Sequence, residues 1–114
     1  VSIKTAVYAA LKPVGSTWPV LAPAGTKPPY IRYTGIGGRD EASYEGDGLG
    51  ATSGILQIDI FALDYASADR LAQSARQALY ASPTVTVGQI TDLPDDYEVD
   101  TKLFKVSFQI EAWE

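Results

Sequence analysis

The stretch Gly54-Ile-Leu-Gln-Ile-Asp-Ile-Phe-Ala-Leu63, followed through Asp64-Tyr-Ala66 by Ser67-Ala-Asp-Arg-Leu-Ala-Gln-Ser-Ala-Arg-Gln-Ala-Leu-Tyr-Ala-Ser82, decides the fold. Its first half alternates. Leu56, Ile58, Ile60 and Ala62 fall on one side, Gln57 and Asp59 on the other, the period of a strand with one buried face. Its second half has helical period. Ala68, Leu71, Ala72, Ala75, Ala78 and Leu79 form an apolar stripe, with Asp69, Arg70, Gln73, Arg76 and Gln77 largely off it. Ser67 is the expected N-cap, Asp69 sits where the helix dipole favours an anion, and Pro83 stops the helix. Neither element can leave its apolar face in water, so the helix must lie on the sheet.

Outward from this pair, Ile3, Val7, Ala10 and Leu11 predict a short helix over residues 3–12, with Ser2 to cap it and Pro13 and Gly15 to end it. Pro13 to Pro29 holds five prolines and two glycines and reads as an extended loop tacked to the core by Trp18, Val20 and Leu21. Tyr30–Thr34 predicts a strand. Gly35 to Ser53 has six glycines in nineteen residues, and Arg39, Asp40, Glu41, Glu45 and Asp47 give it a net charge of −3. Such a long connection without structure of its own is usually functional or disordered. Residues 84–91 predict a strand bulged at Gly88, where Val85 and Val87 lose phase with Ile90. Asp92–Asp100 reads as a turn with five carboxylates, and Leu103–Trp113 as a final strand with Phe104, Val106, Phe108, Ile110 and Ala112 on its core face. The expected architecture is α+β: one domain over residues 1–114, a mainly antiparallel four-stranded sheet, two helices on one face, and a long Gly-rich acidic arm.

Composition narrows the chemistry. The 114 residues contain neither cysteine nor histidine, which removes disulfides, thiolate nucleophiles, imidazole bases and the usual zinc ligands. A net charge of −5 argues against a general nucleic-acid-binding surface. No apolar run approaches a membrane span, and no secretory leader is visible, so the cytoplasm is the expected site of production. Gly46-Asp-Gly48-Leu-Gly50-Ala51 matches a dinucleotide fingerprint in letters only, because an acidic loop precedes it and a strand follows. Gly35-Ile-Gly37-Gly38 has Asp40 where the third glycine belongs. Asp96, Glu98 and Asp100 alternate like calcium ligands, but Thr101 and Ser107 occupy the positions that need glycine and glutamate. Asp95 and Asp96 could do acid–base work only if one were buried; in a polar turn both are expected ionised and exposed. The expectation is no catalytic residue, no cofactor, no metal and no enzyme.

The second face of the sheet carries the remaining signal. It reads Leu103, Lys105, Ser107, Gln109, Glu111, Trp113 on the last strand and Ile55, Gln57, Asp59, Phe61, Leu63 on the central one. Two readings stand: an ordinary half-wet sheet, or a subunit interface anchored by Phe61 and Trp113. Trp113 is out of phase with the core face and has no evident folding role. Candidate interface residues are Arg39, Asp40, Glu41, Tyr44, Glu45, Asp47, Phe61 and Trp113.

The segments IKTAVYAALK (3–12), PPYIRYTGIG (28–37), LQIDIFALDYASADRLAQSARQAL (56–79) and KLFKVSFQIEAWE (102–114), with the Gly-rich acidic arm between the second and third, together resemble the small tail-completion or tail-terminator proteins of long-tailed bacteriophages. The resemblance spans nearly the whole chain and is one of pattern, carrying no catalytic residue. It implies a virion protein assembled in the host cytoplasm as a ring, typically a hexamer, on the head-proximal end of the tail tube. There it stops tube growth and offers a surface to the head connector or stopper, while DNA passes through the lumen without specific binding. The alternatives are another neck component, such as a head-completion or stopper ring, or a small ligand-binding α+β domain.

Overall fold

The computed structural model describes residues 3–40 and 52–113. Its elements in chain order are α1 (Ile3–Leu11), β1 (Thr17–Pro19), β2 (Tyr30–Asp40), β3 (Thr52–Ala62), α2 (Tyr65–Tyr80), β4 (Thr86–Asp92), β5 (Asp96–Glu98) and β6 (Leu103–Trp113). The strands form one open mixed sheet ordered β1-β2-β3-β6-β4, with β5 also paired to β6. All pairings are antiparallel except β1 with β2. The α+β class and both helices agree with the sequence, and both helices lie over the core face. The expected four strands are corrected to six; the sheet is mainly antiparallel as expected, and the parallel β1–β2 pair makes it mixed.

Each added strand has a local cause. β1 arises inside the proline-rich segment, where Ile31 N–H donates to Ser16 O at 2.7 Å and Val20 N–H to Tyr33 O at 2.9 Å. Those bonds hold the loop, not the apolar anchors assigned from sequence: Trp18 is half-buried, while Val20 and Leu21 are 63% and 74% exposed. β5 arises inside the acidic turn because Asp96, Tyr97 and Glu98 continue along the β6 edge that β4 leaves unpaired, opposite Lys105, Phe104 and Leu103. β2 also runs well beyond Thr34, since Gly38, Arg39 and Asp40 pair with Gly54, Ser53 and Thr52 after a register shift between Gly35 and Gly37. The base of the expected loop arm is therefore a strand ladder, and its remainder, residues 41–51, lies outside the described residues, as does Ser2.

The core lies between the helices and one sheet face. β3 contributes Leu56, Ile58, Ile60 and Ala62, and β6 contributes Val106, Phe108, Ile110 and Ala112, all buried. α1 inserts Ile3, Ala6, Val7 and Leu11, and α2 inserts Ala68, Ala72, Ala75 and Leu79. The α2 stripe is three buried alanines and Leu79, small side chains that let the helix lie close on the sheet. The N-cap is Asp64, not Ser67: the Asp64 carboxylate accepts the Ser67 backbone N–H and the Ser67 hydroxyl, both at 2.8 Å. Those donors hold the exposed Asp64 carboxyl below the usual aspartate range. Asp outcompetes Ser here because it stands three residues earlier, in extended conformation (φ −134°, ψ 156°), as a cap must be.

Candidate assembly surfaces

The second sheet face resolves into three parts. At its centre Asp59 is 1% exposed, and its carboxylate is fully engaged. Arg32 donates to Oδ2 through Nε at 3.0 Å and Nη2 at 2.9 Å, while Gln57 Nε2 and Ser107 Oγ donate to Oδ1 at 2.9 and 2.6 Å. Cross-strand register brings these groups together, since Arg32 faces Asp59 and Asp59 faces Ser107. A buried carboxylate is tolerated only with such a full set of donors. The arrangement is structural in character: each oxygen is occupied, and no open position adjoins it for a reacting atom.

Towards the end of this face at which β6 begins, Phe61 is 1% exposed. Tyr30 stacks on its ring at 4.8 Å, and the Arg32 guanidinium lies 4.9 Å from its centroid. Phe61 therefore packs within its own chain, beneath Tyr30 and Arg32. The proline-rich segment passes beside it, so that Leu21, Pro23, Phe61, Leu63, Glu98 and Leu103 border a hollow of about 490 Å³. Burial raises the Tyr30 hydroxyl above its ordinary pKa, with Glu98 adding to the shift.

At the opposite end, Trp113 is 38% exposed. Its ring covers the β4 bulge: a Cβ on Gly88 would fall 2.2 Å from Cη2 and 2.5 Å from Cζ3. Trp113 thus has a folding role that its phase in the strand conceals, and Gly88 is glycine because the indole occupies the place of a side chain. The bulge itself falls where the loss of phase predicts, between Val87 and Gln89.

Of the other candidate interface residues, Arg39 and Asp40 stand at the far end of the β2–β3 ladder, opposite Ser53 and Thr52. Glu41, Tyr44, Glu45 and Asp47 lie outside the described residues, as does the Gly46–Gly50 fingerprint. Gly35, Gly37 and Gly38 lie within the paired, bulged strand β2 and not in a strand-to-helix turn. Asp96 and Glu98 are drawn into β5, and among the described residues no three acidic side chains converge as metal ligands. Asp95 and Asp96 are both exposed, and Asp95 accepts a 2.5 Å hydrogen bond from the Tyr65 hydroxyl, which raises the Tyr65 pKa. Among the described residues no helix is long and apolar enough to cross a membrane.

Two features escaped motif reading. One is a cleft of about 580 Å³ between α1 and β1, lined by Tyr8, Lys12, Trp18 and Tyr33 among others. The second is a partition of charge that the sequence does display. Residues 1–39 carry five basic side chains and no acidic one, whereas residues 40–114 carry all fourteen acids and four bases. Counting charge by chain segment instead of over the whole chain exposes it.

What this scaffold offers is surfaces: a two-layer α+β fold with an open sheet and two dissimilar sheet edges. A sequence model of the family described as "Tail completion protein gp17" matches residues 5–114, and the chain belongs to this family. It is accordingly a structural protein of the tail or neck of a phage-like virion. Among solved structures, a chain of "Virion of native gene transfer agent (GTA) particle" shares the fold with a TM-score of 0.60 and 14% identity, over 99% of this chain and 96% of that one. No curated protein matches.

Proposed function

We propose that the protein forms a closed ring of six copies, which caps the head-proximal end of the tail tube. The ring ends tube polymerisation and presents a joining surface to the head connector or stopper. DNA crosses its lumen without specific binding, and the protein acts without catalysis or cofactor. The observation that carries this reading is membership of the tail-completion family over residues 5–114. The fold is compatible with it. A ring needs two different patches on each subunit that meet head-to-tail and close by rotation, and the two sheet edges are unlike one another. A net charge of −5 suits a conduit that must release DNA. The likeness to a chain from a gene transfer agent virion adds a fold precedent in a particle of this kind.

The test is deletion of the gene, with tails measured by electron microscopy. A tube end that accepts one more ring of tube subunits keeps doing so unless capped, so tails of irregular length without heads are expected. Tails of normal length that fail to retain heads would instead assign the protein to a stopper or head-completion ring. Normal tails joined to heads would refute both.

A further inference from the structure

We propose that neighbouring copies meet with the α1–β1 edge of one against the β4–β5 edge of the next, basic side to acidic side. This rests on the ring reading and specifies which surfaces of the chain make the contact.

The charge partition of the sequence becomes spatial in the fold. Every residue of α1, β1 and the loop to β2 belongs to the acid-free segment; β1 is one edge of the sheet order β1-β2-β3-β6-β4, and α1 packs beside it over β1, β2 and β3. Lys4 on α1 and Lys12 just past its end are exposed, eight residues apart with Tyr8 between them. The Lys4 stem lies over Gly35, and Lys12 Nζ lies 6.0 Å from the Tyr8 ring centroid. The other side carries Asp92, Asp95, Asp96, Glu98 and Asp100 against Arg76, Lys102 and Lys105, a net −2, with Lys105 opposite Asp96 in the β5–β6 pairing. Asp92 is paired with Arg76. The edge strands β1 and β4 are four strand spacings of ~4.8 Å apart, roughly 19 Å. That exceeds the ~8 Å screening length at physiological salt, so Lys12 beside β1 does not offset the surplus of acid at the far edge, which is left for a neighbouring subunit.

Shape agrees with charge. The basic edge holds the cleft lined by Tyr8, Trp18 and Tyr33, a recess with aromatic walls. The acidic edge projects Tyr97 and Val99, 43% and 76% exposed. Apolar projections beside carboxylates fit an aromatic recess beside lysines, and such pairing sets register as well as attraction.

Level along the strands agrees too. Trp18 pairs with Arg32, Arg32 with Asp59, and Asp59 with Ser107. On the far side of β6, Asp92 pairs with Phe108 and Asp96 with Lys105, so the acidic turn brackets the level of Ser107. The cleft, with Lys12 on its wall, and the segment from Asp92 to Asp96 therefore stand at the same height, while Lys4 lies three residues further along the strands, over Gly35. Head-to-tail contacts generate a closed ring when they involve no rise along the rotation axis, and a helical filament when they do. Patches at one height, with an axis running along the strands, give closure.

The experiment uses the purified full chain and two reversals. One is Lys4→Glu with Lys12→Glu; the other is Asp96→Lys with Asp100→Lys, which leaves the Asp95–Tyr65 bond untouched. Melting confirms that each variant folds. Sedimentation should show the wild type associating more weakly as salt rises. Each variant alone should associate at least about ten-fold more weakly, since like charges then face one another. An equimolar mixture of the two should assemble again, because alternating copies restore opposite charges at every contact. Zero-length carbodiimide coupling of wild-type protein should join Lys4 or Lys12 to an acid in residues 92–100 within the dimer band, a pair too distant to couple within one subunit. Either variant associating like the wild type, a mixture that stays monomeric, or dimers coupled elsewhere would overturn the pairing. If the mixture recruits nothing but the basic edge alone binds another virion protein's acidic segment, the edge serves a different partner and the inference also fails. A wild type that never self-associates overturns it as well, while the tail-length experiment still judges the ring reading separately.

Discussion

Replacing Asp59 removes the hub of the second sheet face, and the structure sets the size of the effect. Its carboxylate accepts from Arg32, Gln57 and Ser107 at 2.6–3.0 Å while 1% exposed. In Asp59→Ala those donors lose their acceptor, and Arg32, whose side chain is 25% exposed, keeps its charge with only partial access to water. Breaking a buried pair from one side costs ~3–5 kcal/mol, and the partial exposure of Arg32 argues for the lower end. Asp59→Asn keeps the shape and, after amide reorientation, most hydrogen bonds, but loses the charge; about 2 kcal/mol is expected from the difference between charged and neutral bonds. Urea denaturation measures both, with unchanged m-values confirming a pure stability effect. In a double-mutant cycle, Arg32→Met should make Asp59→Ala less costly, with a coupling energy on the order of 2 kcal/mol. An Asp59→Ala protein within about 1 kcal/mol of wild type, or a coupling indistinguishable from zero, would refute the claim that this network secures the exposed face of the sheet.

Gly88→Ala should displace the Trp113 ring and destabilise the fold by ~1–3 kcal/mol, with a red shift of Trp113 emission in a Trp18→Phe background; unchanged stability and emission would remove the packing role assigned to that pair. Trp113→Ala should lower the melting temperature of the monomer as well as weaken assembly, so melting and ring formation must be assayed separately, and loss of assembly without any change in melting would mark a purely intersubunit residue. The pH dependence of the α2 cap follows from the lowered Asp64 pKa. A depressed carboxyl stabilises the fold above its unfolded pKa and loses that contribution as pH falls through the folded value. The stability gap between wild type and Asp64→Ala should therefore be full near neutrality and shrink in acid; a gap independent of pH would contradict the cap.

The elements with strong periodicity were legible because a single face decides them. Leu56 to Ala62 and Phe104 to Ala112 alternate without interruption, and α1 and the α2 stripe lie where their spacing puts them. β1 and β5 were hidden because each is only three residues long and sits among prolines or carboxylates, where pairing with an already formed strand, not propensity, makes the strand. The extension of β2 was hidden by Gly35, Gly37 and Gly38, which read as loop in isolation but form a ladder once β3 lies alongside. The cap is Asp64 and not Ser67 because the extended backbone at Asp64 decides it, and residue type alone does not show which residue is extended. Among the candidate interface residues, Phe61 and Trp113 mark the limit of reasoning from phase. Phase says which face a side chain occupies; it does not say that Tyr30 covers one ring or that a glycine bulge lies under the other. The charge partition, by contrast, was present in the residue order and needed only to be counted by segment.

The central claim is that this chain is the ring at the head-proximal end of the tail. Electron cryomicroscopy of intact particles, with averaging about the tail axis at the junction between tube and head connector, tests it most directly. The account predicts one closed ring there whose density fits this six-stranded sheet with its two helices, in contact with tube subunits on one side and the connector or stopper on the other. Finding this fold at another level of the particle, or a junction in which the tube meets the connector with no such ring between them, would contradict it.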